Sequence, residues 1–353
     1  MNSICKQSIG FLTNNINQFG GIERVISILS HFFAVEEGWN VSIISLYTSE
    51  TSPAFEIANN IAIIHANLHL GDDIKPYLCD HLKKHQYSTI LTFHPTIGLE
   101  YMRIKRKFPS VQWIATEHSS PFDYTWKRKI LNLVTYASAD KLVVLTNFSS
   151  HYYKSHLISH TFVIPNASPF EVEETSSVLS KRIVAVGRLE TVKRFDLLIS
   201  AFSLIAHDYP EWILEIVGDG SQKQSLMDLV HANDMDDQVI FDGYRSDIKD
   251  IMLDASLAAV SSNYEGFSLV ALEALECGLP IVSVDLPSIR EIVSGYDAAI
   301  FSPVGNAPLL AQNIRNLIDD PQRLKHMSSE AKQCAKKYHI SQIGKKWVEL
   351  LTK

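Results

Sequence analysis

The stretch SLAAVSSNYEGFSLVALEALECGLPIVSVD, residues 256–285, reads as strand, turn, helix, turn, strand. Its two outer runs are short and apolar, as strands buried on both faces are. Between them, VALEALECG carries apolar residues at helical spacing and stops at Gly278 and Pro280, where a helix is expected to close. Strand–helix alternation of this kind implies parallel sheets with helices on both faces. The stretch is also chemically odd. Glu265 falls in the turn and Glu273 on the helix, inside a run that an ordinary core leaves uncharged.

The same alternation extends outward over nearly the whole chain. KQSIGFLT, WNVSIISLY, STILTFH, VQWIATEH, DKLVVLT and HTFVIPN read as strands of a first half. KRIVAVGRL, EWILEIVGDG, DQVIFDGY, DASLAAVSS and LPIVSVD read as strands of a second. Between them lies ASPFEVEETSSVLSK, polar and without periodicity. A chain of 353 residues suits two domains. The expected division is a first α/β domain over 1–168, a linker over 169–180 and a second α/β domain over 181–335. A final amphipathic helix is expected within 336–353, with Trp347 and Leu350 as its docking side chains.

Composition narrows the class. Apolar residues make up 46% and charged residues 20%, the balance of a soluble globular protein. No run approaches a membrane span, and the N-terminus lacks the pattern of a signal peptide, so a cytoplasmic protein is expected. Cys5, Cys79, Cys277 and Cys334 lie far apart and read as small buried hydrophobes rather than a metal or disulfide set. The net charge of −7 divides unevenly. Residues 1–170 hold 14 Lys/Arg against 12 Asp/Glu, and the remainder 18 against 27. An acidic second half argues against a general nucleic-acid binder. The basic residues of the first half cluster at Arg103, Lys105, Arg106 and Lys107, and again at Lys127, Arg128 and Lys129 beside Trp126. Basic and aromatic residues on an amphipathic run have the composition that adsorbs to an anionic membrane surface, though a solvated helix with snorkelling lysines has it too.

In open α/β sheets ligands collect at the C-terminal ends of strands, so the strand-to-helix turns are the places to search. TNNINQFGGIERV puts Gly20-Gly21 before a helix, either a flexible turn or a backbone able to approach an anion. VGRLETVKRFDLLI puts Arg188 and Lys193 after a strand, suited to phosphate or to a solvated helix entry. Glu265 and Glu273 do not suit the paired carboxylates of a glycosidase. Eight helical steps separate them by about 12 Å and a rotation of about 80°. They suit two anchors on one elongated ligand, each accepting from hydroxyl groups, or a capping and a surface glutamate. Glu276, three positions later, reads as solvent-facing. The D-x-D at Asp234 and Asp236 lies in a charged loop before a strand and reads as solvated surface.

Glu265-x7-Glu273 with GFSLVAL between and AL-x-CGLPIV after resembles the signature of the GT-B-fold retaining glycosyltransferases of glycosyltransferase family 4. FGGIERV, VGRLETVKRFDLLI, TEHSSP and VIPN resemble that family's other motifs, in order, over about residues 10–300. The resemblance implies two Rossmann-like domains with parallel sheets facing across a cleft, the last helix packing back on the first. It implies a nucleotide-diphosphate sugar as donor, with UDP the family's frequent nucleotide, and needs no metal or other cofactor. By the same carry-over, Glu273 holds the ribose and Glu265 the sugar hydroxyls. The N–H groups of Gly266, Phe267, Ser268 and Leu269 meet the sugar and distal phosphate, while Arg188 and Lys193 neutralise the diphosphate. Gly20 and Gly21 close on the phosphate, and His118 contacts the sugar near its reacting carbon. The implied acceptor is a glycan or lipid-linked sugar of cell-surface polysaccharide synthesis, reached by peripheral association with the inner face of the membrane. Another GT-B activity, such as nucleotide-sugar epimerisation, and a non-catalytic nucleotide-sugar-binding partner are the competing readings.

Overall fold

Residues 7–47, 52–122 and 124–353 are described by a computed structural model, so Cys5 lies outside the described residues. The first half's apolar runs form β1 (Ser8–Thr13), β2 (Asn40–Ser45), β3 (Ala62–His65), β4 (Thr89–Thr92), β5 (Gln112–Glu117), β6 (Lys141–Val144) and β7 (Thr161–Val163). They make one parallel sheet in the order β3-β2-β1-β4-β5-β6-β7. Its covering helices are α1 (Gly21–His31), α2 (Ile74–Lys84), α3 (Pro95–Ile104), α4 (Trp126–Ala137) and α5 (Asn147–Ser155). Every residue of β4 is buried, which follows from helices on both faces. The largest fully buried side chains here include Tyr101, Trp113, Tyr136 and Tyr153.

The second half repeats the plan. β8 (Arg182–Val186), β9 (Ile213–Val217), β10 (Val239–Gly243), β11 (Leu257–Val260), β12 (Ile281–Val284) and β13 (Ala299–Ser302) form a parallel sheet ordered β10-β9-β8-β11-β12-β13. Its helices are α6 (Phe195–Ser203), α7 (Lys223–His231), α8 (Ile248–Leu253), α9 (Leu269–Glu276), α10 (Pro287–Ile292), α11 (Ala307–Ile318) and α12 (Pro321–Ala335), and α13 (Ile340–Thr352) ends the chain. In both sheets the strand order reverses beside the first strand, at β1/β4 and at β8/β11. Helices leave in opposite directions there and open a crevice at the strand C-termini.

Internal contacts divide the chain into residues up to Ala167 with Ile340–Lys353, and Ser168–His339. The last helix therefore belongs with the first unit. Its Trp347 and Leu350 are buried, and Lys141 Nζ donates to the Leu350 carbonyl. Gly344 lies against the Phe32 ring, which a Cβ would meet at 2.2 Å. The segment expected as a linker, 169–180, is laid along the second unit. Ser176 N donates to the Cys277 carbonyl at 2.9 Å, its hydroxyl donates to Ala255, and Lys332 Nζ donates to the carbonyls of Val172 and Glu174. A polar segment pressed on a domain must place its backbone groups this way. Cys277 and Cys334 are buried and Cys79 is half-buried, all three as free thiols.

Candidate functional site

At the β8/β11 crevice two loops are sewn together by their own backbone. Ser261 Oγ donates to the Lys193 carbonyl at 2.9 Å, and Asn263 N to the Val192 carbonyl at 2.8 Å. This brings Lys193 Nζ to Glu265 Oε1 at 2.7 Å, across 72 residues of sequence. Ser262 Oγ donates to the same oxygen at 2.9 Å, so both bonds fall on Oε1 and neither on Oε2. Lys193, Glu265, Ser262, Ser268 and Val270 line one depression. Arg188, six residues past the start of its strand, is exposed on the same loop.

Glycines of the following strand end shape that loop. Leu189 N donates to the Asp219 carbonyl and Gln222 N to the Leu189 carbonyl, both at 2.9 Å. A Cβ on Gly218 would stand 2.0 Å from the Gly187 carbonyl oxygen, and one on Gly220 2.5 Å from that of Leu189. Only glycine permits such an approach. Sequence reading gave these residues no role, although GDG at a strand end was the available signal.

Helix α9 begins at Leu269, two residues later than its periodicity suggests. Ser268 caps it by accepting from Ala271 N at 3.3 Å, which leaves the first N–H groups of the turn without helical partners. The helix ends as expected. Gly278, at φ 69°, and Leu279 donate to the Leu275 and Ala274 carbonyls at 3.0 and 2.8 Å. Glu273 is buried, at 2% exposure.

Glu276 overturns the solvent-facing expectation. It is 0% exposed and receives Val172 N at 3.2 Å on Oε1, with Lys332 Nζ at 3.6 Å from the same atom. His339 Nε2 lies 3.2 Å from Oε2, and its Nδ1 3.2 Å from Glu171 Oε2. The reason is that α9 has no solvent side: α12 and the 171–176 segment cover the flank on which Glu276 lies. Both segments by which the chain enters and leaves the second unit are thereby fastened to α9.

In the first unit Gly20 caps α1 in extended conformation, and its missing Cβ would stand 2.3 Å from Glu23 Oε2. His118, just past β5, is half-buried and stacked on Phe93 at 5.5 Å, with Nε2 3.0 Å from Thr116 Oγ1. Burial pushes its pKa down to about 3, helped by His94. His94, just past β4, is held at about 4 by burial, with Nε2 a long 3.4 Å from Thr13 Oγ1 at the end of β1. Sequence reading missed His94, though it ends the run STILTFH as His118 ends VQWIATEH. Before His118, the buried Glu117 accepts from Ser119 N (2.9 Å) and from the hydroxyls of Tyr124 (3.0 Å), Tyr136 (2.7 Å) and Tyr153 (3.1 Å). Burial raises its pKa and these four donors oppose the rise.

The two basic clusters do not share a surface. Helix α3 starts at the C-terminal edge of the sheet and runs back, so Arg103, Lys105, Arg106 and Lys107 reach the opposite edge from the start of α4, and Lys105 donates to the Ser138 carbonyl just past that helix's other end. Arg103 pairs with Glu100 at 2.6 Å, Lys105 pairs with Asp140, and Lys107 Nζ lies 3.9 Å from Cys79 Sγ. The α4 cluster stands apart. Trp126, Ile130 and Val134 recur every fourth residue along one exposed side. Lys127 lies over the Trp126 ring at 5.6 Å and Lys129 over the exposed Phe122 at 5.5 Å. In the D-x-D, Asp236 lies 3.0 Å from His231 Nδ1 on an exposed loop at the N-terminal edge of the second sheet, while Met235 turns inward.

Residues 170–334 match the sequence model of the family described as Glycosyl transferases group 1. The chain is 28% identical to an uncharacterized glycosyltransferase of Haemophilus influenzae, over 98% of this chain and 100% of that one. It is 24% identical to the amylovoran biosynthesis glycosyltransferase AmsD of Erwinia amylovora, over 96% and 98%. Among solved structures it resembles TarM of S. aureus, crystallised with Fondaparinux, alpha-GlcNAc-glycerol and UDP. That likeness has a TM-score of 0.82 and 13% identity, over 98% of this chain and 100% of that one.

Proposed function

We propose, from the premise that the chain has the GT-B fold, belongs to the glycosyl transferases group 1 family and is a glycosyltransferase, that it moves a hexose or N-acetylhexosamine from a UDP-sugar to a glycan or lipid-linked acceptor of cell-surface polysaccharide synthesis, with retention. The observation that carries this reading is the Lys193–Glu265 pair at the β8/β11 crevice. A carboxylate neutralises the cation there, and a diphosphate competes for Lys193 Nζ with more charge and more acceptor oxygens. Its arrival releases Glu265 Oε1, and a freed carboxylate is what sugar hydroxyls need. One exchange loads both ends of the donor. In this proposal Glu273 takes the ribose, and Arg188 and the N–H groups of Gly266–Leu269 take the diphosphate.

Charge develops on the departing diphosphate, so fixed cations and N–H donors lower the barrier by electrostatics placed in advance. The proposal assigns no protein nucleophile and requires no metal. Proton NMR of a reaction with UDP-α-glucose or UDP-α-N-acetylglucosamine tests it. The account expects the first sugar released or transferred to be the α anomer; a β anomer first would show inversion and reject the retaining mechanism.

The acceptor side is proposed to work at an anionic membrane surface on the cytoplasmic face, through α4 and Phe122 alone. The exposed apolar side of α4 suits the acyl boundary, and each of Lys127, Arg128 and Lys129 contributes about 1 kcal/mol near anionic lipid. Changing all three to Glu is expected to abolish flotation with phosphatidylglycerol vesicles. Equal flotation of variant and wild type would end the membrane proposal without touching the reaction.

A further inference from the structure

Three consecutive residues of the loop after β8 reach the turn after β11. The Val192 carbonyl accepts from Asn263 N at 2.8 Å, the Lys193 carbonyl accepts from Ser261 Oγ at 2.9 Å, and Arg194 Nη1 donates to Asn263 Oδ1 at 3.2 Å. On the β8 side the first two bonds use only backbone. The third needs the arginine, and this arginine stands on unfavourable backbone. Its φ of 51° and ψ of 42° lie in the left-handed region, where a Cβ crowds the following carbonyl oxygen and glycine is the ordinary occupant. The chain path requires that conformation. Arg194 N closes the turn Thr191–Lys193 on the Thr191 carbonyl at 3.4 Å, and the Arg194 carbonyl opens α6 by accepting from Leu197 N at 3.0 Å and Leu198 N at 3.3 Å. Glycine would make the same two connections without strain, so the strain points to work done by the side chain. That side chain is aimed from its base. Nε donates to both carboxylate oxygens of Asp196, at 3.0 and 3.1 Å, and Nη1 then meets Asn263. Lys193 adjoins Arg194, and Glu265 follows Asn263 by two residues, so this bond stands directly behind the Lys193–Glu265 pair.

We propose that Arg194 is a positioning residue for the donor site: through Asn263 it holds the turn that carries Glu265 in register with Lys193. It acts without touching the donor itself. The role rests on the donor reading given above and deepens it, because a diphosphate on Lys193 and a sugar on Glu265 are served together only while the two loops keep one spacing.

The test compares the full chain with Arg194→Gly, Arg194→Lys, Asn263→Ala and the double variant Arg194→Gly/Asn263→Ala. Melting temperatures are measured with affinities for UDP, UDP-glucose and UDP-N-acetylglucosamine. Arg194→Gly is expected to melt within about 2 °C of wild type or above it, because the left-handed backbone suits glycine and an exposed ion pair adds little. Arg194→Lys keeps the strained backbone, and its single ammonium cannot replace the fork that serves Asp196 and Asn263 together, so it is expected to melt no higher than wild type. Both are expected to bind UDP within about threefold of wild type and to lose about fivefold or more of the gain of UDP-sugar over UDP, the size of one hydrogen bond to a charged group. A merely structural role would make that loss follow the melting temperature, which these two variants move apart. Asn263→Ala is expected to show the same loss, and the double variant no further loss. A gain within twofold of wild type in Arg194→Gly would overturn the proposal. So would losses that multiply in the double variant, or a fall of about tenfold in UDP affinity, which would make Arg194 a direct phosphate ligand. The wild-type gain of UDP-sugar over UDP separates the two levels. Its absence would reject the donor reading and this role with it, whereas its presence with an unchanged Arg194→Gly would reject the role of Arg194 alone.

Discussion

Glu265→Ala is expected to lower kcat/KM for sugar transfer by about 10²- to 10³-fold, the loss of roughly two charge-assisted hydrogen bonds to the sugar as charge separates. The protein is expected to stay folded. Glu265 and Lys193 are both partly open to solvent, and a pair of that kind contributes about 1 kcal/mol or less after screening. That corresponds to a few degrees of melting temperature in a unit of this size. Glu265→Gln separates charge from shape: it keeps an acceptor oxygen but no longer neutralises Lys193. Its activity is expected to fall less than that of the alanine variant. Equal rates for wild type and Glu265→Ala, with both proteins folded, would remove Glu265 from the site.

The second large effect concerns stability. Glu276→Ala removes the carboxylate that Lys332, His339 and Val172 N share in the interior of the second unit. Breaking a buried charge network by deleting one member costs about 3 kcal/mol, because the remaining partners stay buried. For a unit of this length that lowers the melting temperature by about 6–12 °C. Glu276→Gln, which keeps volume and one acceptor, is expected to lie between. Thermal and urea unfolding read the outcome, and a shift below about 2 °C for Glu276→Ala would mean that Glu276 behaves as surface. The effect should appear in stability before it appears in chemistry, since Glu276 is at the far end of α9 from Glu265.

Much of this architecture was legible in the residues. Short apolar runs alternating with amphipathic ones led to two parallel sheets, and Gly278 marked the end of α9 through a conformation that only the helix terminus requires. Glu265 was correctly placed in a turn because its neighbours Gly266 and Ser268 suit one. What failed did so for identifiable reasons. Glu276 looked solvent-facing because helical periodicity assumes a solvent side, and the residues Ala271–Glu276 are buried all round. The clusters at 103–107 and 127–129 both carry the basic composition of a membrane surface, and composition does not say which edge of a sheet a residue reaches. The end of one helix and the start of the next lie at opposite edges of a parallel sheet. The Lys193–Glu265 bond spans 72 residues and arises from strand order, which no local pattern encodes.

The central claim is that the turn after β11, together with Lys193, holds a nucleotide-diphosphate sugar. Titration calorimetry of UDP and UDP-sugar into wild type and Glu265→Ala tests it most directly. The account predicts that wild type binds the UDP-sugar more tightly than UDP, and that Glu265→Ala keeps UDP binding while losing the additional affinity for the sugar. UDP-sugar binding unchanged in Glu265→Ala, or no heat from UDP or UDP-sugars with the wild-type protein, would contradict it.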